Sequence, residues 1–214
     1  MAILKAPAVG HNDLYRNLKF RAPWTARVKF PKTEGLGLPS QGAIHYTVYF
    51  KYCPEGYLAD DGSCGTTPTI ALGVEKYLTP TEFQYRLIID VYYISAPVFF
   101  VLGRKPSDAD TEIVLTLSDG SLTVSLDGKP AFATDLLKKA EVLNVIDYYV
   151  AWDDPPSGAQ PNLEQLVIVD ISAAPNIAQI VNAIIPAVVA VGVVATVVKV
   201  LGRVRLPPLR LRRS

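Results

Sequence analysis

The chain has 214 residues, half of them apolar and 19% charged, with 17 prolines and 14 glycines. That composition excludes a disordered, collagen-like or coiled-coil protein and leaves room for one ordinary domain with an appendage. The net charge of +1 hides a segregation: residues 1–33 carry +6, residues 34–170 carry −11 and residues 171–214 carry +6.

Residues 1–33 show little periodicity. Lys19, Arg27, Lys29 and Lys32, with the stretch Arg21-Ala22-Pro23-Trp24, read as an extended basic arm that lies against a neighbour or an anionic surface. Trp24 is its one large anchor. No secretory leader is read at the start, because Lys5 precedes a mixed stretch that meets His11 and Asp13 before any adequate apolar core.

Residues 34–171 read as a β body. Ala43–Tyr52 alternates, with Ile44, Tyr46, Val48 and Phe50 on one side. Phe83–Phe100 is rich in Ile, Val, Tyr and Phe and is divided at Pro97. Thr111–Leu117 and Leu122–Leu126 flank Ser118-Asp119-Gly120, a hairpin signal, and Asp127-Gly128 marks another turn. Asp135–Val145 is expected to be a short helix capped by Thr134, followed by strands at Val145–Trp152 and Leu163–Ile171. Short strands between Pro/Gly turns favour an antiparallel sandwich: a single jelly roll first, an immunoglobulin-like sandwich second. Residues 172–176 form the linker that ends the body.

Cys53 and Cys64 bracket a loop rich in Gly, Pro and Asp, and as the chain's two cysteines they permit one internal bridge. A disulfide is preferred over free buried thiols or a metal pair, since no His stands nearby in a zinc-like pattern. His45 lies on the strand face opposite Ile44 and His11 in a polar arm. Neither stands in a spacing to Asp or Ser that marks catalysis, so both read as satisfied or solvated. Nucleophile-elbow, zinc-protease, phosphate-loop and dinucleotide motifs are missing, and no enzyme, cofactor or metal is expected. Among eleven tyrosines, the adjacent pairs Tyr92/Tyr93 and Tyr148/Tyr149 should each place one ring inside and one on the surface, where tyrosine suits protein contacts.

From Ile171 to Val198 the chain has no charged residue. Ile177–Leu201 is long enough for a transmembrane helix, which needs about 20 apolar residues. A helix buried within a protein assembly, or two core strands split at Gly192, are the alternatives. Pro186 should bend the helix, and Ala183, Ala187, Ala190, Gly192 and Thr196 offer small faces for close helix packing. Lys199 and the unbalanced Arg203, Arg205, Arg210, Arg212 and Arg213 of the tail, residues 202–214, suit anionic lipid headgroups or non-specific contact with nucleic acid.

Basic arginines after the span place the tail on the cytoplasmic or virion-interior side and the body outside the lipid. Few Asn and Gln, one Met and proline-rich turns are traits of thermophile proteins, in which intracellular disulfides occur. The resulting expectation is a membrane-anchored structural subunit of a multi-copy assembly, first of all a capsid or shell protein of a virion with an internal membrane. Its partners would be lipid and copies of itself or other structural subunits. An accessory single-span subunit of a cellular membrane complex is the second reading, and a surface-tethered β-sandwich binding module the third.

Overall fold

The computed structural model describes residues 1–66, 70–91, 96–118, 121–135 and 142–173. The chain divides into two units, Met1–Ala174 and Pro175–Ser214. The second lies outside the described residues, and with it the expected span Ile177–Leu201, its packing residues Ala183 to Thr196, and the basic positions Lys199 to Arg213. Among the described residues no helix is long and apolar enough to cross a membrane.

Among the described residues the protein is mainly β: two antiparallel six-stranded sheets form a sandwich. Its strands are β1 (Ala2–Leu4), β2 (Gly10–Tyr15), β3 (Trp24–Phe30), β4 (Ala43–Cys53), β5 (Ile70–Leu78), β6 (Phe83–Val91), β7 (Val98–Lys105), β8 (Thr111–Ser118), β9 (Ser121–Leu126), β10 (Lys129–Thr134), β11 (Val142–Asp153) and β12 (Val167–Ala173). One sheet runs β1-β12-β3-β8-β9-β10 and the other β2-β11-β4-β5-β6-β7.

Period-two alternation builds the core. Trp24, Ala26, Val28 and Phe30 of β3 and Ile113, Leu115 and Leu117 of β8 are buried from one sheet. Tyr46, Val48, Phe50 and Tyr52 of β4, Leu72 and Val74 of β5, and Tyr85 and Leu87 of β6 meet them from the other. The Trp24 ring stacks with those of Phe50 and Tyr52, both at 6.1 Å between centroids. Such aromatic pairs add about 0.5–1.5 kcal/mol each beyond the area they bury.

At one end the core is polar. Lys76 of β5 is fully buried; its ammonium donates to Asp108 and, at 2.8 Å, to Gln165 Oε1. Gln165 Nε2 donates to the carbonyls of Pro31 and Leu166, while the Tyr148 hydroxyl donates to the Gln165 carbonyl at 2.9 Å. Burial pulls the Lys76 ammonium below its ordinary range, and the Asp108 partner only partly offsets that. Removing one member of a buried pair typically costs about 3–5 kcal/mol, because the other is left charged and dry.

Three sequence expectations change. The first 33 residues are not a free arm, because they supply β1, β2 and β3, with Trp24 in the core. Basic residues of β3 disguised that strand, yet Arg27 and Lys29 point outward in strict alternation with buried neighbours. The helix expected over Asp135–Val145 is strand from Val142 onward, and residues 136–141 lie outside the described residues. Finally, β5 and β10 are strands that the sequence reading did not pick out.

Cys53 and Cys64 form a disulfide with Cα atoms 5.8 Å apart, tying the end of β4 to its following loop. By the loop-entropy estimate this closure stabilises the fold by about 3 kcal/mol. Reduction should therefore lower the thermal midpoint by about 6–12 °C for a body of this size. Melting curves of oxidised and fully reduced protein check this, and coincident curves would contradict it.

Candidate active site

The same alternation that fills the core lays a second set of side chains on the outer face of the β2-β11-β4-β5-β6-β7 sheet. Register then aligns them across strands. His11 stands opposite Tyr149, Tyr149 opposite Thr47, Thr47 opposite Glu75, and Glu75 opposite Arg86. In the next row Asp13, Asp147, Tyr49, Gly73, Ile88 and Phe99 follow one another across all six strands. On the other side His45 lies opposite Tyr77.

His11 and Asp147 form a dyad through Nδ1 and Oδ2. The Asp147 side chain is 0% exposed whereas that of His11 is 57% exposed, so a buried carboxylate holds a solvent-facing imidazole. A carboxylate acceptor assigns the proton of the neutral ring to Nδ1 and leaves Nε2 as the basic nitrogen. Lys51 Nζ lies 3.0 Å from the same Asp147 oxygen and 3.4 Å from Asp13 Oδ1.

Tyrosines line the dyad. The Tyr149 ring lies 4.5 Å from the His11 ring, and Tyr49 lies 5.9 Å away. Tyr49 can lie flat because residue 73 is glycine: a Cβ there would come within 2.9 Å of the Tyr49 ring and 3.1 Å of Ile88. Burial, then the negative charges of Asp153 and Glu75, push the Tyr149 phenol above its ordinary range, so it stays protonated and able to donate at neutral pH.

Glu75 is the hub of the face. Only 1% exposed, it accepts from Thr47 Oγ1 at 2.9 Å, from His45 Nδ1 at 2.8 Å and from Arg86 Nε at 2.5 Å. The Arg86 guanidinium stacks 3.4 Å above the Tyr77 ring centre and 4.9 Å from that of Phe99. The other nitrogen of His45, Nε2, is 2.7 Å from Asp153 Oδ2. With a carboxylate on each nitrogen, His45 is satisfied as an imidazolium. Burial disfavours that charge, but Glu75 and Asp153 outweigh it and hold His45 above its ordinary range.

The face therefore contains a base (His11 Nε2), a protonated phenol (Tyr149) and a cation (Lys51) side by side, an arrangement suited to moving a proton onto and off a bound molecule. Among the described residues no group of three or more His, Cys, Asp or Glu could hold a metal ion. The disulfide stands apart from this chemistry in function: it closes a loop. Sequence reasoning read His11 as satisfied or solvated and did not single out Asp147, Glu75 or Arg86, since His11 and Asp147 are 136 positions apart and meet only through strand pairing. The usable signals were the alternation that sets His45, Thr47, Tyr49 and Lys51 on one side of β4, and the outward member of the Tyr148/Tyr149 pair.

No family model and no curated protein matches the sequence. Solved structures do match in shape. The alginate lyase AlyC3, solved with dimannuronate, is 11% identical with a TM-score of 0.47, over 80% of this chain and 74% of its own. The polysaccharide lyase family 18 protein aly-SJ02 is 11% identical with a TM-score of 0.41, over 79% and 84%. The heptameric SAP-like pentraxin from Limulus polyphemus is 11% identical with a TM-score of 0.41, over 78% and 71%. At such identity the likeness concerns fold. The expectations of a virion capsid or other structural subunit and of a chain without catalytic function are corrected to this extent: these similar solved structures are an alginate lyase, a polysaccharide lyase and a pentraxin, a likeness of fold that by itself assigns no role. The physical source of the error was the distance in sequence between the polar residues that converge on the sheet.

His45 supplies a pH signature. Its folded-state value lies above the ordinary 6.5. The stabilisation from its two ion pairs is thus complete below about pH 6.5 and lost as pH rises through the folded value. The stability gap between the native chain and His45→Gln should be widest on the acid side and narrow as pH rises past that point. Denaturant titrations at stepped pH check this, and a gap that grows with pH would contradict it.

Proposed function

We propose that the sandwich is a jelly roll whose open sheet face is the active site of a polysaccharide lyase, cleaving a uronate-containing polymer by β-elimination. The observation that carries this reading is the His11–Asp147 dyad set against the protonated Tyr149. β-Elimination needs little else: a base for the proton on the carbon next to the carboxylate, a donor for the departing glycosidic oxygen, and a cation for the charge that builds on the carboxylate.

In this scheme His11 Nε2 takes the C5 proton, and its electron pair becomes the C4–C5 double bond. The C4–O4 bond breaks, and its electrons leave on O4, which takes the Tyr149 phenol proton. The products are a chain with an unsaturated end and a chain with a new hydroxyl. One proton passing from His11 back to Tyr149 restores the site. Asp147 fixes the His11 tautomer and stabilises the imidazolium, and Lys51 supplies the cation beside the dyad. Tyr49, flat over Gly73, offers a ring face for a sugar to stack on.

The test is incubation of the purified chain with alginate and a panel of other polyuronates, following the ultraviolet absorbance of the C4–C5 unsaturated product. Activity is expected on at least one polymer, with His11→Ala and Tyr149→Phe each slowing turnover by about 10²–10⁴-fold while both variants keep the β-sheet signature of the folded chain. No unsaturated product from any polyuronate, or undiminished activity in both variants, would overturn the reading.

A further inference from the structure

His45 looks like a bystander, because both its nitrogens are occupied by carboxylates and neither is open to a substrate. We propose that His45 is a positioning residue for Tyr149: it packs edge-on against the phenol ring and cancels the charge of the two carboxylates that face it. The inference rests on the assignment of Tyr149 as proton donor for its consequence in turnover, but not for its physical content.

Geometry carries the argument. The His45 and Tyr149 rings stand 6.3 Å apart at 62°, and Tyr49 meets Tyr149 edge-on at 6.4 Å from the other side, so the phenol ring is held between two rings of β4. The charged and titratable groups around Tyr149 come from four strands. β2 brings His11, β4 brings His45, Tyr49 and Lys51, β5 brings Glu75, and β11 brings Asp147 and Asp153. Of these, Glu75 and Asp153 act on the phenol. Glu75 has a second cation in Arg86, whereas Asp153, on the exposed end of β11, is met by the imidazolium of His45. The backbone there is fixed by close approach: residue 42 is glycine at φ +67°, and a Cβ on it would lie 1.8 Å from the Asp153 carbonyl oxygen. Asp153 is therefore held where His45 meets it.

Replacing His45 by an uncharged residue leaves a net negative charge beside the phenol, which disfavours the phenolate. The experiment follows the Tyr149 ring signal of the full chain by NMR of ring-labelled tyrosine between about pH 5 and 9, where the phenol stays protonated, with Tyr149→Phe assigning the signal. In the His11→Ala background, which removes the other imidazole beside the phenol, the signal should move through one step as His45 loses its charge, and His45→Gln should abolish that step. A purely steric role predicts no such step, and a step that persists in His45→Gln, or none while His45 is present, would overturn the proposal whatever the activity. On a polyuronate that the chain cleaves, His45→Gln should lower kcat about tenfold with KM little changed. Should the chain cleave none while the His45-dependent step is seen, the positioning role stands and the lyase reading alone falls.

Discussion

Two adjacent residues of one strand, Glu75 and Lys76 of β5, are both charged and both buried, and they point to opposite faces of the sheet. Burying an isolated charge is prohibitively costly, so each must be met by opposite charge and hydrogen bonds. Glu75 gathers Arg86, His45 and Thr47 on the outer face. Lys76 gathers Asp108 and Gln165 at the polar end of the core. The strand is thereby fixed on both sides at once, and a one-residue slip would exchange the two charges between environments in which neither has its partners.

That constraint positions everything next to it. Holding β5 in register against β4 sets Tyr49 over Gly73 and His45 against Glu75, and holding β4 against β11 sets Thr47 opposite Tyr149. β11 in turn places Tyr149 opposite His11 and Asp147 within reach of its ring. The proposed reactive set is built on strands rather than on loops, which keeps the geometry tight, while the edge strand β2 leaves His11 facing solvent. Charge compensation runs through the whole face: Asp147 is matched by Lys51 and His11, Glu75 by Arg86 and His45, and Asp153 by His45.

The sequence made the β body legible where alternation was clean. Ala43–Tyr52, Thr111–Leu117 and Leu122–Leu126 show inward apolar residues at every second position, and they are β4, β8 and β9. The division of Phe83–Phe100 at Pro97 also agrees with β6 ending at Val91 and β7 starting at Val98. β5 was hidden by its buried charges: the Glu-Lys pair in mid-strand and Gly73 interrupt its apolar pattern, and nothing local reveals that both charges are buried and paired. β3 was hidden by lysine and arginine on its solvent side. The site was the least legible part, since its residues come from five strands spread between His11 and Asp153. Two histidines read as ordinary are ordinary by spacing; only pairing across the sheet shows that one holds a buried aspartate and the other bridges two carboxylates.

The central proposal is that the outer face of the β2-β11-β4-β5-β6-β7 sheet binds and cleaves a polymer of acidic sugars. The most direct measurement is mapping of a uronate oligosaccharide onto the His11→Ala variant by amide and aromatic NMR shifts. The account predicts perturbation centred on Tyr149, Tyr49 and Lys51 and spreading along the sheet face towards Tyr77. Perturbation confined to the opposite sheet, or none at saturating oligosaccharide, would contradict it.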